Sequence, residues 1–472
     1  MTRYQHLATL LAERIEQGLY QSGERLPSVR SLSSEHGVSI STVQQAYHVL
    51  EDLQLVSPQP RSGYFVSPRK AVPPLPRLSR PARWPVEVKQ WGEVLEMINL
   101  RYSGEAPGFF SGAPDFTQST VKPLLREMGR LSQHQAAEVL GYDEIQGTKV
   151  LREQIARLLL DSNCVVNADD IVVTNGCHEA LSIAIRAVCE PGDIVAVESP
   201  LFHGTMQMLR GYGLKVVEIP TDSVTGMSLE ALELVLEQWP IKAIFLVPNC
   251  NNPQGFIMPD ARKKAVLSLA KRYDIAIIED DVYGELTYEY PRPMTIKSLD
   301  VGDCVLLCGS FSKTLAPGLR IGWIVPGRYL DRVLHMKYIG TGSTPVFTQH
   351  AIAGFIREGH YHRHLRRMRQ QYQRNLDHFS CRVRQYFPCG ICVSRPQGGF
   401  LLWIELPENV DVERFNLLLR EEKIYVASGS LFSASVKYRN CLRLNYALPL
   451  DAVTEAALKR VGEIAEQALE NT

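Results

Sequence analysis

The apolar positions of this chain follow two regimes. Over the first fifty residues they recur at helical spacing, with Leu7, Leu10, Leu11 and Ile15 striping one predicted helix and Gly18 and Gly23 bracketing its stop. Leu26-Pro-Ser-Val-Arg30 opens a second, short helix that Ser28 caps and whose Leu32 points inward. Gly37 then turns the chain, Val38 enters the core, and Ser39 caps a third helix reaching about Leu53, with Val43, Ala46, Tyr47 and Leu50 as its buried stripe. Leu55-Val56 and Tyr64-Phe65-Val66, joined through Pro58 and Arg61-Ser62-Gly63, read as a small hairpin. Farther on, short and nearly continuous apolar runs alternate with helical patterns: Ile171-Val-Val173, Ile194-Val-Ala-Val197, Val216-Val217, Ala243-Ile-Phe-Leu-Val247, Ile275-Ala-Ile-Ile278, Val305-Leu-Leu307 and Ile321-Gly-Trp-Ile-Val325. Strands of that kind belong to a mostly parallel sheet covered by helices on both faces, an α/β architecture.

Between the regimes, residues 69–105 carry Pro73, Pro74, Pro76, Pro81 and Pro85, together with Arg69, Lys70, Arg77, Arg80, Arg83 and Lys89. This reads as a semi-rigid, solvated and basic tether, which as a hypothesis also touches a nucleic-acid backbone. The division is therefore 1–68, a linker at 69–105, and a large unit at 106–472 with subdomains at about 120–345 and 346–472. Length allows it, since 472 residues have room for about three units at ~150 residues each.

Composition changes little. Lys plus Arg and Asp plus Glu both total 51, so no global charge draws the chain to nucleic acid or membrane, and any such partner must be met locally. No apolar run reaches the ~18 residues of a membrane span, and Met1-Thr-Arg-Tyr-Gln-His6 lacks the pattern of a signal peptide. A cytoplasmic protein without membrane attachment is expected, its ten cysteines free thiols. Cys389-Gly-Ile-Cys392 has no second pair at zinc-site spacing, and His360, His362 and His364 would splay around a helix, so no metal is expected. Arg363, Arg366, Arg367 and Arg369 read as a solvated face with Leu365 and Met368 inward.

The third N-terminal helix leaves Ser39, Ser41, Thr42, Gln44, Gln45 and His48 outward, the arrangement of a recognition helix in a major groove. Glutamine amides read adenine edges, and hydroxyls reach phosphates or either base. The segments Leu26-Pro-Ser-Val-Arg30, Gly37-Val-Ser39, Ser41-Thr-Val43, Ala46-Tyr47 and Ser62-Gly-Tyr-Phe-Val66 resemble the winged helix-turn-helix of the GntR family in order and spacing. The resemblance implies contacts to double-stranded DNA from Arg30, Ser39, Ser41, Thr42, Gln44, Gln45, Arg61 and Gly63. Many relatives carry arginine where Ile40 and Gln44 stand, and residues 1–70 hold seven Lys and Arg against six acids, a net of +1. One copy then binds phosphate feebly, and two copies on one duplex are expected.

The chemistry of the large unit gathers at strand ends. Ser310-Phe-Ser-Lys313 follows one strand, and a lysine there, with Arg320 seven residues on, suits a Schiff base beside a phosphate. Gly176, Cys177 and His178 open a helix and offer backbone N–H groups to a phosphate, together with Ser310 and Arg320. Asp280 is placed to keep a pyridine nitrogen protonated, Asn252 and Tyr283 to reach a ring phenolate, and Phe202 to stack on the ring. These residues describe a pyridoxal 5'-phosphate site in which Lys313 and Asp280 carry the catalytic roles.

The large unit thus resembles a fold type I, class I/II aminotransferase, a mostly parallel seven-stranded sheet plus a small α+β subdomain. The whole chain resembles the MocR subfamily of GntR regulators. The resemblance implies that Arg443 holds a substrate carboxylate, that Gly112 contacts the same group through its backbone, and that Tyr142 reaches the phosphate of a second subunit in a homodimer. Phe202 stands where relatives often have tyrosine, which keeps stacking but loses a hydroxyl. The expected function is a transcriptional regulator carrying the cofactor as a Lys313 aldimine and binding an amino acid or amine. A working transaminase with a DNA-binding domain, and a sensor of free pyridoxal phosphate, are the alternatives.

Overall fold

The computed structural model describes residues 3–53, 55–59, 62–67, 72–78, 81–82, 84–88, 91–92, 94–95, 108–435 and 437–469. Arg61, Arg69, Lys70, Arg80, Arg83 and Lys89 lie outside the described residues.

The N-terminal unit folds as its periodicity requires, with α1 (Arg3–Glu16), α2 (Val29–His36) and α3 (Ile40–Asp52) followed by β1 (Val56–Gln59) paired antiparallel with β2 (Gly63–Val66). Ser28 accepts from the Ser31 N–H and Ser39 from the Thr42 N–H, so each cap satisfies an amide that the first helical turn leaves without a partner. Gly37 ends α2 at φ 60°, a left-handed conformation that costs a side-chain-bearing residue more. Leu7, Leu11, Leu32, Val43, Ala46, Tyr47 and Leu50 close a core of their own with Val56 and Val66. The Tyr47 ring stacks on Tyr64 at 4.3 Å and its hydroxyl donates to the Pro27 carbonyl, fastening wing to helix.

The linker is not the solvated tether expected. The Val393 N–H donates to the Pro74 carbonyl at 2.8 Å, the Arg77 N–H to Glu405 at 2.9 Å, and the Arg77 guanidinium pairs with Glu408. Val86 and Val216 exchange both backbone hydrogen bonds, at 2.9 and 3.0 Å. An extended chain carries unpaired backbone groups, and the linker satisfies some of them on sheet edges.

In the large unit α4 (Lys122–His134), α5 (Ala136–Leu140) and α6 (Lys149–Leu159) precede β3 (Val172–Thr174), α7 (Cys177–Val188), β4 (Ile194–Ser199), α8 (His203–Gly211), β5 (Lys215–Asp222), β6 (Gly226–Met227), α9 (Leu229–Gln238), β7 (Ile241–Leu246), α10 (Asp260–Arg272), β8 (Ala276–Asp280), β9 (Val305–Ser310) and β10 (Gly322–Val325). These strands form one sheet in the order β3-β10-β9-β8-β7-β4-β5-β6. It contains the seven expected strands and an eighth of two residues, β6, which pairs antiparallel with Thr221 and Asp222 at the edge. The neighbours from β9 through β5 run parallel, and β10 is reversed between β9 and β3. Alternate residues feed two cores: Val195, Val197, Phe245 and Ile278 on one face, Ala196, Ile244 and Ile277 on the other.

After α11 (Leu330–Gly340) and α12 (Val346–Arg357), the long helix α13 (His360–Tyr386) leads to a second, antiparallel sheet. Its strands are β11 (Cys392–Val393), β12 (Leu401–Glu405), β13 (Ala427–Ser428) and β14 (Cys441–Asn445), in the order β11-β12-β14-β13, and α15 (Ala452–Gln467) packs against α13 and against α14 (Val412–Glu421). On α13, Leu365 and Met368 are buried as expected. Arg369 leaves the solvated face assigned to it: it donates to the Glu285 carbonyl at 2.7 Å, pairs with the Glu285 carboxylate, and lies over the Tyr290 ring. His364 is also buried, bonded to Thr120 at 2.7 Å.

Candidate functional site

A cavity of about 310 Å³ opens where β3, β7, β8 and β9 end, within the range of small-molecule sites. Lys313 follows β9, and its Nζ donates to the Gly112 carbonyl at 2.5 Å and lies 5.7 Å from the Tyr283 ring centre. Asp280 ends β8 and is 5% exposed, and burial pushes its carboxyl up to about 6. The Val282 N–H at 3.2 Å and the Cys177 thiol at 3.7 Å donate to it. A carboxyl held there regains its charge when a cation is set beside it, which is what a pyridinium nitrogen offers.

Gly176 stands at the N-terminus of α7 with φ 84°, and a Cβ there would come within 2.5 Å of Arg320. The missing side chain lets the guanidinium reach the Asn175 carbonyl at 2.9 Å and hold its place beside the α7 amides. Cys177 and His178 line the same corner. Burial and the neighbouring Arg320 and Lys313 lower the His178 pKa, keeping the imidazole neutral beside two cations.

Ser310, expected to meet the phosphate, is not among the residues that line the cavity. Its hydroxyl is buried and donates to the Ile321 carbonyl at 3.0 Å, while the cavity is lined by Ser312, two residues on. The reason is where the strand ends: Ser310 still pairs with Gly322 in the sheet, and the chain turns toward the cavity only after it.

On the other wall, Tyr283 is 2% exposed and its hydroxyl has no protein partner among the described residues. Asn252 accepts from Arg443 at 3.4 Å, and Phe202 closes one side, its ring held against Gly204, where a Cβ would meet it at 2.5 Å. Arg443 comes from β14 in the second sheet, is 1% exposed, and donates to the Phe110 carbonyl at 2.6 Å. Burial lowers its pKa to about 10, so it stays cationic at neutral pH. Its Nε lacks a partner among the described residues. The structure thus brings Lys313, Asp280, Tyr283, Asn252, Cys177, His178, Phe202, Arg320, Arg443 and Gly112 around one cavity. Tyr142 lies outside it and is fully exposed.

Three residues escape a reading of the sequence. Ser312 is masked by Ser310, which fits the same motif. His203 sits buried between Phe202 and Phe432, and no motif marks it. Asn445 donates to the Ser111 and Ala113 carbonyls at 2.6 and 2.9 Å, and its spacing of two from Arg443 on one strand is the available signal.

On the N-terminal unit, Arg30, Ser39, Ser41, Gln44, Gln45 and Gly63 are exposed. Thr42 is half-buried, its hydroxyl 2.8 Å from that of Ser39.

A buried phenol without a partner among the described residues, an elevated carboxyl, a glycine that makes room for an arginine and an amine suit a phosphorylated pyridine aldehyde. Comparison with known proteins agrees. Residues 108–461 match the family Aminotransferase class I and II, and residues 3–66 match Bacterial regulatory proteins, gntR family. The chain is 63% identical over 470 residues, 100% of both chains, to an uncharacterized HTH-type transcriptional regulator, YjiR, of Escherichia coli (strain K12). A Pyrococcus horikoshii kynurenine aminotransferase, solved in complex with PMP, superposes with TM-score 0.75 and 28% identity, covering 81% of this chain and 96% of that one. The alpha-aminoadipate aminotransferase LysN of Thermus thermophilus, solved with N-(5'-phosphopyridoxyl)-L-leucine, gives TM-score 0.74 and 25% identity over 80% and 95%. Pyridoxal 5'-phosphate is the cofactor such a site takes. The chain belongs to the MocR type of GntR-family transcriptional regulators, a winged helix-turn-helix fused to a class I and II aminotransferase domain.

Proposed function

We propose that this regulator senses an amino acid or a related amine in its aminotransferase domain and passes binding on to its DNA-binding domain. One observation carries the reading: Arg443 donates to the carbonyl of Phe110 and Lys313 to that of Gly112, so two ligand-binding groups grip one short segment. A ligand with a carboxylate and an amine competes for both. The cofactor, when bound, supplies an aldehyde that condenses with primary amines and a ring that withdraws electrons. Lys313 is the amine that holds the cofactor and yields to the ligand, and Asp280 keeps the ring nitrogen's proton. Asn252 and Tyr283 would hold the ring oxygen, Phe202 would cover the ring, and Ser312, Arg320 and the α7 turn would hold the phosphate. Tyr142 is the residue a second copy receives at its own phosphate site.

The linker supports transmission. It touches the second sheet at Val393 and Glu405 and the large sheet at Val216, so movement of one against the other acts on it directly. Only a ligand with unequal affinity for the two arrangements drives such a shift.

The test is a titration of the holoprotein with individual amino acids, following cofactor absorbance and DNA affinity together. Both change over the same concentration range in the wild type, and Lys313→Ala binds DNA without the response. A Lys313→Ala protein whose DNA affinity still follows the ligand overturns the proposal. A second reading, a working aminotransferase, is favoured by the convergence of Lys313, Asp280 and Arg443 on one cavity. Sustained conversion of an amino acid and a keto acid selects it.

A further inference from the structure

The helix α13 carries seven arginines and one acid, Asp377, in 27 residues. Two of the arginines have carboxylate partners, Arg369 with Glu285 and Arg382 with Glu455. Arg363, Arg366, Arg367 and Arg374 are exposed, with no carboxylate within ion-pair distance among the described residues. Their register matters more than their number. At 100° per residue, positions 363, 367, 370, 374 and 381 lie within about 60° of one another around the helix, so Arg363, Arg367 and Arg374 share a face with Cys381. Cys381 is where the DNA-binding module touches this helix, its thiol donating to the carbonyl of Leu53, the residue that ends α3.

We propose that this ridge is a second DNA-contacting surface that grips the phosphate backbone flanking the site read by the winged helix. The module supplies almost no net charge of its own, and the ridge begins about 10 Å from the contact at Cys381 and runs on for about 17 Å along the helix axis. Guanidinium groups spaced in this way meet successive phosphates of one strand, contacts that give affinity without reading sequence.

The test uses full-length holoprotein and a duplex selected from a random pool by that protein, supplied with long flanks and trimmed to the recognised site. The variant is Arg363→Gln/Arg367→Gln/Arg374→Gln, whose exposed side chains leave folding and cofactor absorbance in place. Three lost phosphate contacts lower the slope of log affinity against log salt by about 2.7, so the affinity lost between 50 and 200 mM salt shrinks by about 40-fold. Trimming the flanks weakens the wild type and not the variant. An unchanged slope on the long duplex overturns the proposal. A variant that changes only the monomer–dimer balance also overturns it, because the ridge then faces a second copy of the chain.

Discussion

Replacing Asn445 by alanine isolates the segment that joins ligand to linker. Residues 110–113 are held from three sides: Arg443 on the Phe110 carbonyl, Lys313 on that of Gly112, and Asn445 on those of Ser111 and Ala113 at 2.6 and 2.9 Å. Cofactor held by Lys313 takes up the amine that otherwise reaches Gly112, and a ligand that takes Arg443 with its carboxylate removes the hold on Phe110. Asn445 is then the remaining one, and in Asn445→Ala the liganded segment loses its anchor. Two amide-to-carbonyl bonds contribute about 1 kcal/mol each, so about 2 kcal/mol is lost from the liganded state, or roughly 30-fold in ligand affinity. In the unliganded holoprotein Arg443 still holds the segment at Phe110, so cofactor content and basal DNA affinity are retained. Absorbance titration of the holoprotein measures the ligand term and fluorescence anisotropy with labelled duplex the DNA term. Asn445→Asp serves as a second variant, since a carboxylate facing two carbonyls weakens binding further. A ligand affinity within about threefold of wild type, in a protein that keeps its cofactor, refutes the reasoning.

Other expectations follow from single contacts. Gly176→Ala sets a methyl 2.5 Å from the Arg320 guanidinium at a backbone φ of +84°; cofactor affinity measured by dialysis falls at least tenfold, for a left-handed residue costs about 1–2 kcal/mol before the arginine moves. Gln44→Ala and Gln45→Ala each relax discrimination at one base pair by about 1–3 kcal/mol while leaving the salt slope unchanged, as read from binding to single-base variants of the selected site. Glu198 is fully buried, and desolvation raises its pKa from 4.5 to about 8 despite bonds from the Val247 N–H and Asn251. The native state therefore holds this proton while the unfolded chain releases it, so the group's contribution lowers stability as pH rises from about 4.5 to about 8. In Glu198→Gln, denaturant midpoints across that window decline less steeply than in the wild type.

The elements were legible because local pattern and tertiary burial agree. The apolar stripe of α3 and the hydrophobic runs of β4, β7, β8 and β9 are periodic signals that any core of this kind needs. The pocket was legible where a residue type is forced by chemistry, as with Lys313, Asp280 and Arg443. It failed where only direction decides: Ser310 and Ser312 are the same residue type two apart, and which faces the ligand depends on where β9 releases the chain. Arg369 failed for a related reason, since its partner Glu285 is 84 positions away. The linker failed more broadly. Proline content marks an extended chain but says nothing of which edge receives it, and the pairing of Val86 with Val216 arises because β6 covers only the far end of β5.

That pairing gives the two domains a mechanical relation. Linker contacts at Pro74 and Arg77 lie on the second sheet and its following turn, which belong with Arg443, whereas Val86 lies on the large sheet, which carries Lys313 and Asp280. The stretch between Arg77 and Val86 therefore spans the boundary across which a closing pocket must move. An extended, proline-containing segment is stiff, so a displacement between its anchors is transferred to what precedes it rather than absorbed. What precedes it is the wing of the DNA-binding domain, and that domain is also held at Leu53 by α13. The helix itself packs through Tyr361 on Phe311, two residues before Lys313, and through Phe379 on Tyr446, next to the end of β14. A change in the angle between the two sheets thus reaches the DNA-binding domain at two points, and a pull at only one of them would rotate the recognition helix about the other.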